Sequence, residues 1–156
     1  MTQTENMHEP HALRTAMYTA VAVVEGGRQG HARTSDGRVD LDLDIPVEMG
    51  GTGGPGTNPE QLFAVGFGAC FLSALQRFAT GRHLDMTGAR IESRVRLGPL
   101  RDGGFGLAVT LDLDAPSLEH ADAVELMTRA HEQCPYSRAT RDNIEVVLAV
   151  TGETIA

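Results

Sequence analysis

The stretch Asn58-Pro59-Glu60-Gln61-Leu62-Phe63-Ala64-Val65-Gly66-Phe67-Gly68-Ala69-Cys70-Phe71-Leu72 opens with the signals of a helix start. Asn58 can cap the first turn, Pro59 suits the first helical position, and Glu60 sets a negative charge against the positive helix end. Gln61 has the spacing from Asn58 that a capping box requires. From Leu62 to Ala79 the chain is apolar almost all round, the pattern of a buried helix. Gly66 and Gly68 weaken such a helix, so they are expected to let another backbone approach closely. Cys70 sits in the middle of this run.

Strands flank the helix on both sides. Residues 1–16 are polar, contain Pro10, and read as a flexible arm. A β-like segment runs from Met17 to Glu25, the turn Gly26–Gly30 follows, and Asp36-Gly37 marks a hairpin. Arg38 to Ile45 alternates, with Val39, Leu41, Leu43 and Ile45 on one face and Arg38, Asp40, Asp42 and Asp44 on the other, which predicts a half-buried strand. The glycine loop Met49–Gly56 lacks the lysine of a phosphate loop and reads as a lid or connector. After Gly88 alternation returns twice, over 89–97 and 107–113. Ser117 is placed to cap a second helix that Pro135 ends, and Ile144 to Val150 closes the chain as a strand. The order βββ-α-ββ-α-β predicts an α+β domain over residues 17–156, with the strands in groups around two buried helices.

Composition narrows the chemistry. The 156 residues suit one domain, and 41% hydrophobic residues suffice for a core. All 13 basic residues are arginine, so Schiff-base and lysine-base mechanisms are excluded. A net charge of −8 argues against a sequence-independent grip on nucleic acid or an anionic membrane. No apolar stretch reads as a bilayer span, and the N-terminus carries no secretory pattern, so a cytoplasmic location is expected. In that compartment a cysteine pair more often cycles than staples.

The chain has two cysteines, in unlike settings. Cys70 lies about ten residues into its helix, beyond the reach of the helix dipole, and burial there raises its pKa above the free value of about 8.5. A working thiolate at Cys70 therefore needs a cation from elsewhere in the chain. Cys134 falls at a helix C-terminus, which gives a thiolate no help, yet it can still act as a second thiol. Either cysteine alone reads equally well as a small buried apolar residue. His131 and Cys134, three residues apart, leave a metal site as another option, although no second close pair accompanies them.

The segments Gly56-Thr57-Asn58-Pro59-Glu60-Gln61-Leu62-Phe63-Ala64, Ala69-Cys70-Phe71 and Cys134-Pro135-Tyr136-Ser137-Arg138-Ala139-Thr140, with the Gly26-Gly27-Arg28 turn upstream, resemble the organic hydroperoxide resistance (Ohr) proteins of the Ohr/OsmC superfamily. The likeness runs in order over nearly the whole chain, and the Cys134-Pro135-Tyr136-Ser137 string favours the Ohr branch. Phe67, where a Tyr is common, and a longer N-terminal arm are departures.

The resemblance implies an OsmC-like fold, an intertwined homodimer, and a thiol peroxidase acting on organic hydroperoxides, including those of fatty acids. It makes Cys70 the peroxidatic thiol and Cys134 the resolving one. Arg28 becomes the cation that Cys70 needs, and Glu60 orients it. It also implies that no cofactor is bound, and that an external dithiol of lipoyl type, carried by a lipoylated protein, is the reductant. Phe67, Phe71 and Met49 are the candidates for an apolar substrate wall. A redox-sensing binding protein without turnover is the alternative.

Glu60 and Cys70 share one helix, ten residues and about 15 Å apart. One arginine cannot readily serve both within a subunit unless the helix breaks. The expectation is a site at a subunit interface, drawing residues from both chains.

Overall fold

The computed structural model describes residues 11–155. Most of the expected arm therefore lies outside the described residues, and 11–16 contain no helix or strand. A three-stranded antiparallel sheet comes first: β1 (Ala22–Glu25), β2 (His31–Thr34) and β3 (Asp40–Asp42). The helix α1 (Pro59–Gly81) leads to β4 (Arg90–Pro99) and β5 (Phe105–Asp114), then to α2 (His120–Gln133) and the short α3 (Pro135–Thr140). The strands β6 (Glu145–Val150) and β7 (Glu153–Thr154) finish a second sheet of order β4-β5-β6-β7, in which β5 and β6 are parallel and the other pairs antiparallel.

The α+β class and the grouping of strands are as expected. The alternation in β5 turns Val109, Leu111 and Leu113 inward, where Phe67, Phe71 and Leu75 of α1 and Leu126 and Met127 of α2 meet them. All are essentially sealed from solvent, and this single cluster holds both helices on the four-stranded sheet.

Several local expectations change. The first strand starts at Ala22, not Met17, and β3 is only Asp40–Asp42. Leu43 is buried, but Val39 and Leu41 stay 38% and 37% exposed, so the predicted half-buried strand is half-buried only at its end. Among the described residues, none gives Val39 and Leu41 full cover. Ser117 does not cap α2: its Oγ donates to the Thr87 carbonyl, and Glu119 holds the cap position without a side-chain bond. Pro135 ends α2 but at once starts α3, where its missing N–H costs nothing. Neither α3 nor β7 is visible in the sequence pattern.

At the start of α1, Asn58 accepts from the Gln61 backbone N–H at 2.9 Å. The Gln61 side chain, however, accepts from the Thr57 hydroxyl, so the capping box is only half formed. The apolar girth of α1 is not fully used either. One side enters the core, while Val65 remains 71% exposed and Leu62 37%. With 23 residues and a window of mean hydropathy 1.5, this helix is by length and composition alone apolar enough to cross a bilayer, a test that a core helix also meets, and Phe67, Phe71 and Leu75 of it are buried in the core. Replacing the cap, Asn58→Ala, is expected to lower stability by about 1 kcal/mol in urea unfolding; an unchanged midpoint would show that the cap contributes nothing.

Candidate active site

The corner between α2 and α3 is built on Cys134, which is at once the C-cap of one helix and the N-cap of the next, with φ −60° and ψ 127°. Its N–H closes α2 on the Ala130 carbonyl, and its own carbonyl accepts from the Arg138 N–H to open α3. The corner lies against α1, where Cys70 is partly exposed and Cys134 fully buried. The two sulfurs are 3.5 Å apart and unbonded. A disulfide needs about 2.05 Å, so a shift on the order of 1.5 Å would join them.

Burial pushes the Cys70 thiol above its ordinary pKa, and the Cys134 sulfur adds to the rise. The Tyr136 backbone N–H, in the first turn of α3, acts on the Cys70 thiol in the opposite direction. The sequence reading missed this group. Its signal is the Cys-Pro-Tyr order, in which a proline at the first helical position leaves the next N–H free to point outward.

Gly66 explains how α3 comes so close. A Cβ at Gly66 would lie 2.8 Å from the Tyr136 Oη, so the phenol rests against α1 in the space that glycine leaves and would have to shift for a larger residue. The Tyr136 ring then sits against Phe67 and Phe63, with centroids 5.7 and 6.0 Å away. Phe67 and Phe71 are fully buried in the core, whereas Met49 lies exposed on the short Val47–Met49 helical turn.

Arg28 and Glu60 form a second pair. The Gly26–Gly30 turn places Arg28: Gly26 and Gly27 have φ of 71° and 57°, and a Cβ on Gly26 would meet the Gly30 Cα at 2.8 Å. Both guanidinium nitrogens donate to the Glu60 carboxylate, at 2.8 and 2.7 Å. The Arg28 hydrogen bonds hold Glu60 below its ordinary pKa, and Glu60 in turn raises that of Arg28. The glycine loop ahead of α1 is tied down by Asp44, whose carboxylate accepts from the Gly56 N–H and leaves no room for a side chain at Gly54 or Gly56.

The four residues thus form two pairs. The helix α1 runs unbroken through Gly66 and Gly68, and Arg28, held by Glu60 at its start, is not among the groups that act on Cys70. The other option for His131 and Cys134 is not taken up: the His131 Nδ1 meets the Ser137 hydroxyl at 3.0 Å. Among the described residues, no three His, Cys, Asp or Glu side chains are grouped to hold a metal ion.

This fold is that of the OsmC-like proteins, whose family profile matches residues 51–149. The chain is 46% identical over 135 residues to the organic hydroperoxide resistance protein of Xanthomonas axonopodis pv. citri, covering 86% of this chain and 94% of that one. It is 43% identical over 134 residues to the organic hydroperoxide resistance protein OhrB of Bacillus subtilis, covering 85% and 97%. The crystal structure of that OhrB superposes with a TM-score of 0.79 at 42% identity over 86% of this chain and 99% of the other. An organic hydroperoxide resistance protein from Legionella pneumophila superposes with a TM-score of 0.82 at 43% identity over 87% and 98%. The chain belongs to the organic hydroperoxide resistance family within the Ohr/OsmC superfamily.

Two expectations follow from this geometry. Glu60 in the folded chain ionises below the ordinary value of 4.5. Its pair therefore stabilises the fold above that value, and this stabilisation is lost as pH falls through the lowered pKa. The stability gap between the wild-type chain and Glu60→Gln should be open at pH 7 and close on acidification, read by urea titrations across pH; a gap independent of pH would contradict the pairing. Gly66→Ala should shift the Tyr136 phenol away from α1 while changing stability by no more than about 1 kcal/mol, because the helix propensity gained by Ala offsets the lost contact. A crystal structure of that variant with Tyr136 unmoved would contradict the contact.

Proposed function

We propose that this chain is a cysteine-based peroxidase that reduces organic hydroperoxides, alkyl and fatty-acid ones included, to alcohols, and so serves in the response to oxidative stress. The observation that carries the reading is the 3.5 Å separation of the Cys70 and Cys134 sulfurs in a chain whose relatives are named for organic hydroperoxide resistance.

The Cys70 thiolate attacks the outer peroxide oxygen and the O–O bond breaks. The alkoxide takes up a proton and leaves as the alcohol, and Cys70 becomes a sulfenic acid. The Cys134 sulfur then attacks Cys70, forming the S–S bond and releasing the hydroxyl as water. An external dithiol of lipoyl type, carried by a lipoylated protein, returns two electrons by thiol–disulfide exchange and restores both thiols. No bound cofactor is required. Phe67 and Phe71 back the thiol with apolar surface, and with Met49 they are the proposed apolar wall, which favours an alkyl peroxide over hydrogen peroxide.

The cation for Cys70 comes from a second copy of the chain. Within one chain Arg28 is held by Glu60 at the start of α1, while Cys70 lies ten residues further on, about 15 Å along an unbroken helix. The exposed apolar residues Leu62 and Val65 lie between them on the same helix and suit burial against an antiparallel copy of α1. In that homodimer the Arg28–Glu60 pair of one subunit serves the Cys70 of the other. A cytoplasmic location, with neither nucleic acid nor membrane as partner, fits a pI near 5.1.

Steady-state reduction of an alkyl hydroperoxide, compared with dihydrolipoamide, thioredoxin and glutathione as reductants, tests the reading. Turnover is expected with dihydrolipoamide and none with Cys70→Ser; turnover surviving in Cys70→Ser would overturn it. Mixing Glu60→Ala with Cys70→Ser chains should recover activity, because one site of each heterodimer then carries neither lesion. Failure to recover after demonstrated subunit exchange would place both residues of a site in one chain.

A further inference from the structure

His131 has no part in the chemistry above, yet it is half-buried beside it. It stands in the last turn of α2, three residues before Cys134, and its Nδ1 meets the Oγ of Ser137, three residues after Cys134, at 3.0 Å. Ser137 is completely buried, so its hydroxyl depends on such a partner. A second tie spans the same corner in the other direction: the Arg141 guanidinium donates to the His131 carbonyl. The Phe71 ring of α1 lies 6.5 Å from the imidazole, centroid to centroid.

The corner needs these ties. Cys134 is in an extended conformation, Pro135 has no N–H, and α3 is only six residues long, too short to hold itself as a helix. The two backbone bonds through Cys134, to Ala130 and from Arg138, leave the angle between the helices to the side chains. That angle sets where the Cys134 sulfur lies relative to Cys70. Burial and the nearby Arg141 keep His131 below its ordinary pKa, so the imidazole stays neutral and matched to a hydroxyl partner at neutral pH.

We infer that His131 is a positioning residue for the resolving step: through its hydrogen bond to Ser137 it holds the α2–α3 corner so that Cys134 meets the sulfenic acid on Cys70 before a second peroxide does. The inference rests on the proposed roles of Cys70 and Cys134. The step it governs joins Cys70–SOH and Cys134–SH into a disulfide and water. Its competitor is oxidation of the sulfenic acid to sulfinic acid by another hydroperoxide molecule.

The test is quenched-flow alkylation and mass analysis of the reduced full chain after an alkyl hydroperoxide pulse, in wild type, His131→Leu, His131→Asn and Ser137→Ala. Wild type must first form the Cys70–Cys134 disulfide; if it does not, the peroxidase reading itself fails, separately from this inference. Given that disulfide, His131→Leu and Ser137→Ala should each slow its formation about tenfold, the rate equivalent of one hydrogen bond. The peroxide-dependent loss of the Cys70 thiol should slow far less, and sulfinic acid should build up at Cys70 under excess peroxide. Their double variant should be no slower than either single one. His131→Asn, which keeps a polar atom near the Nδ1 position, should recover most of the rate. Disulfide formation at the wild-type rate in Ser137→Ala and His131→Leu, or equal slowing of both steps in all variants, would overturn the role.

Discussion

The contact between the α2–α3 corner and α1 is the constraint on which the rest of the site depends. Cys70 and Cys134 are 64 residues apart in sequence, and only this contact brings their sulfurs to 3.5 Å. Gly66 leaves room for the Tyr136 phenol against α1, and Pro135 lets a new helix start at the residue after Cys134. A cysteine in mid-helix is a poor thiolate on its own, because burial raises its pKa. The same corner that brings the second thiol also brings the Tyr136 N–H, a donor favouring the thiolate. The corner thus acts on Cys70 in both directions, the Tyr136 N–H favouring the thiolate and the nearby Cys134 sulfur opposing it, and the thiol stays above its ordinary pKa.

The second pair explains why a single chain looks unfinished. Arg28 and Glu60 satisfy each other fully at the start of α1. The helix then carries on unbroken to Cys70, with apolar residues left outside the core. An arginine fork already fixed by a carboxylate is pre-organised to receive a further anion with little rotamer loss. Held by the first turn of a rigid helix, it has the fixed geometry that the proposed dimer site requires.

Much of this was legible in the sequence where the physics is local. The start of α1 at Asn58-Pro59, the alternation through β5 and the placing of Cys70 within an apolar helix all follow from spacing and capping. The short α3 escaped because six residues hold less than two turns, too few for periodicity to register. The degree of burial of Val39, Leu41 and Val65 escaped for a different reason: an alternating or apolar pattern states which face seeks cover, not whether the same chain supplies it. Arg28 was legible only through resemblance, since nothing in its spacing separates it from twelve other arginines. Tyr136 was quoted within a motif, but its contribution is a backbone N–H aimed by tertiary packing, and no side-chain pattern marks such a group.

The central claim is that the facing thiols of one chain form the disulfide that closes the reaction. It is tested most directly by non-reducing peptide mapping of a mixture of isotopically light and heavy chains, after one equivalent of an alkyl hydroperoxide. The account predicts a single Cys70–Cys134 linkage in which light peptides join only light and heavy only heavy. Light–heavy crosslinks, or Cys70 oxidised without any linkage to Cys134, would contradict it.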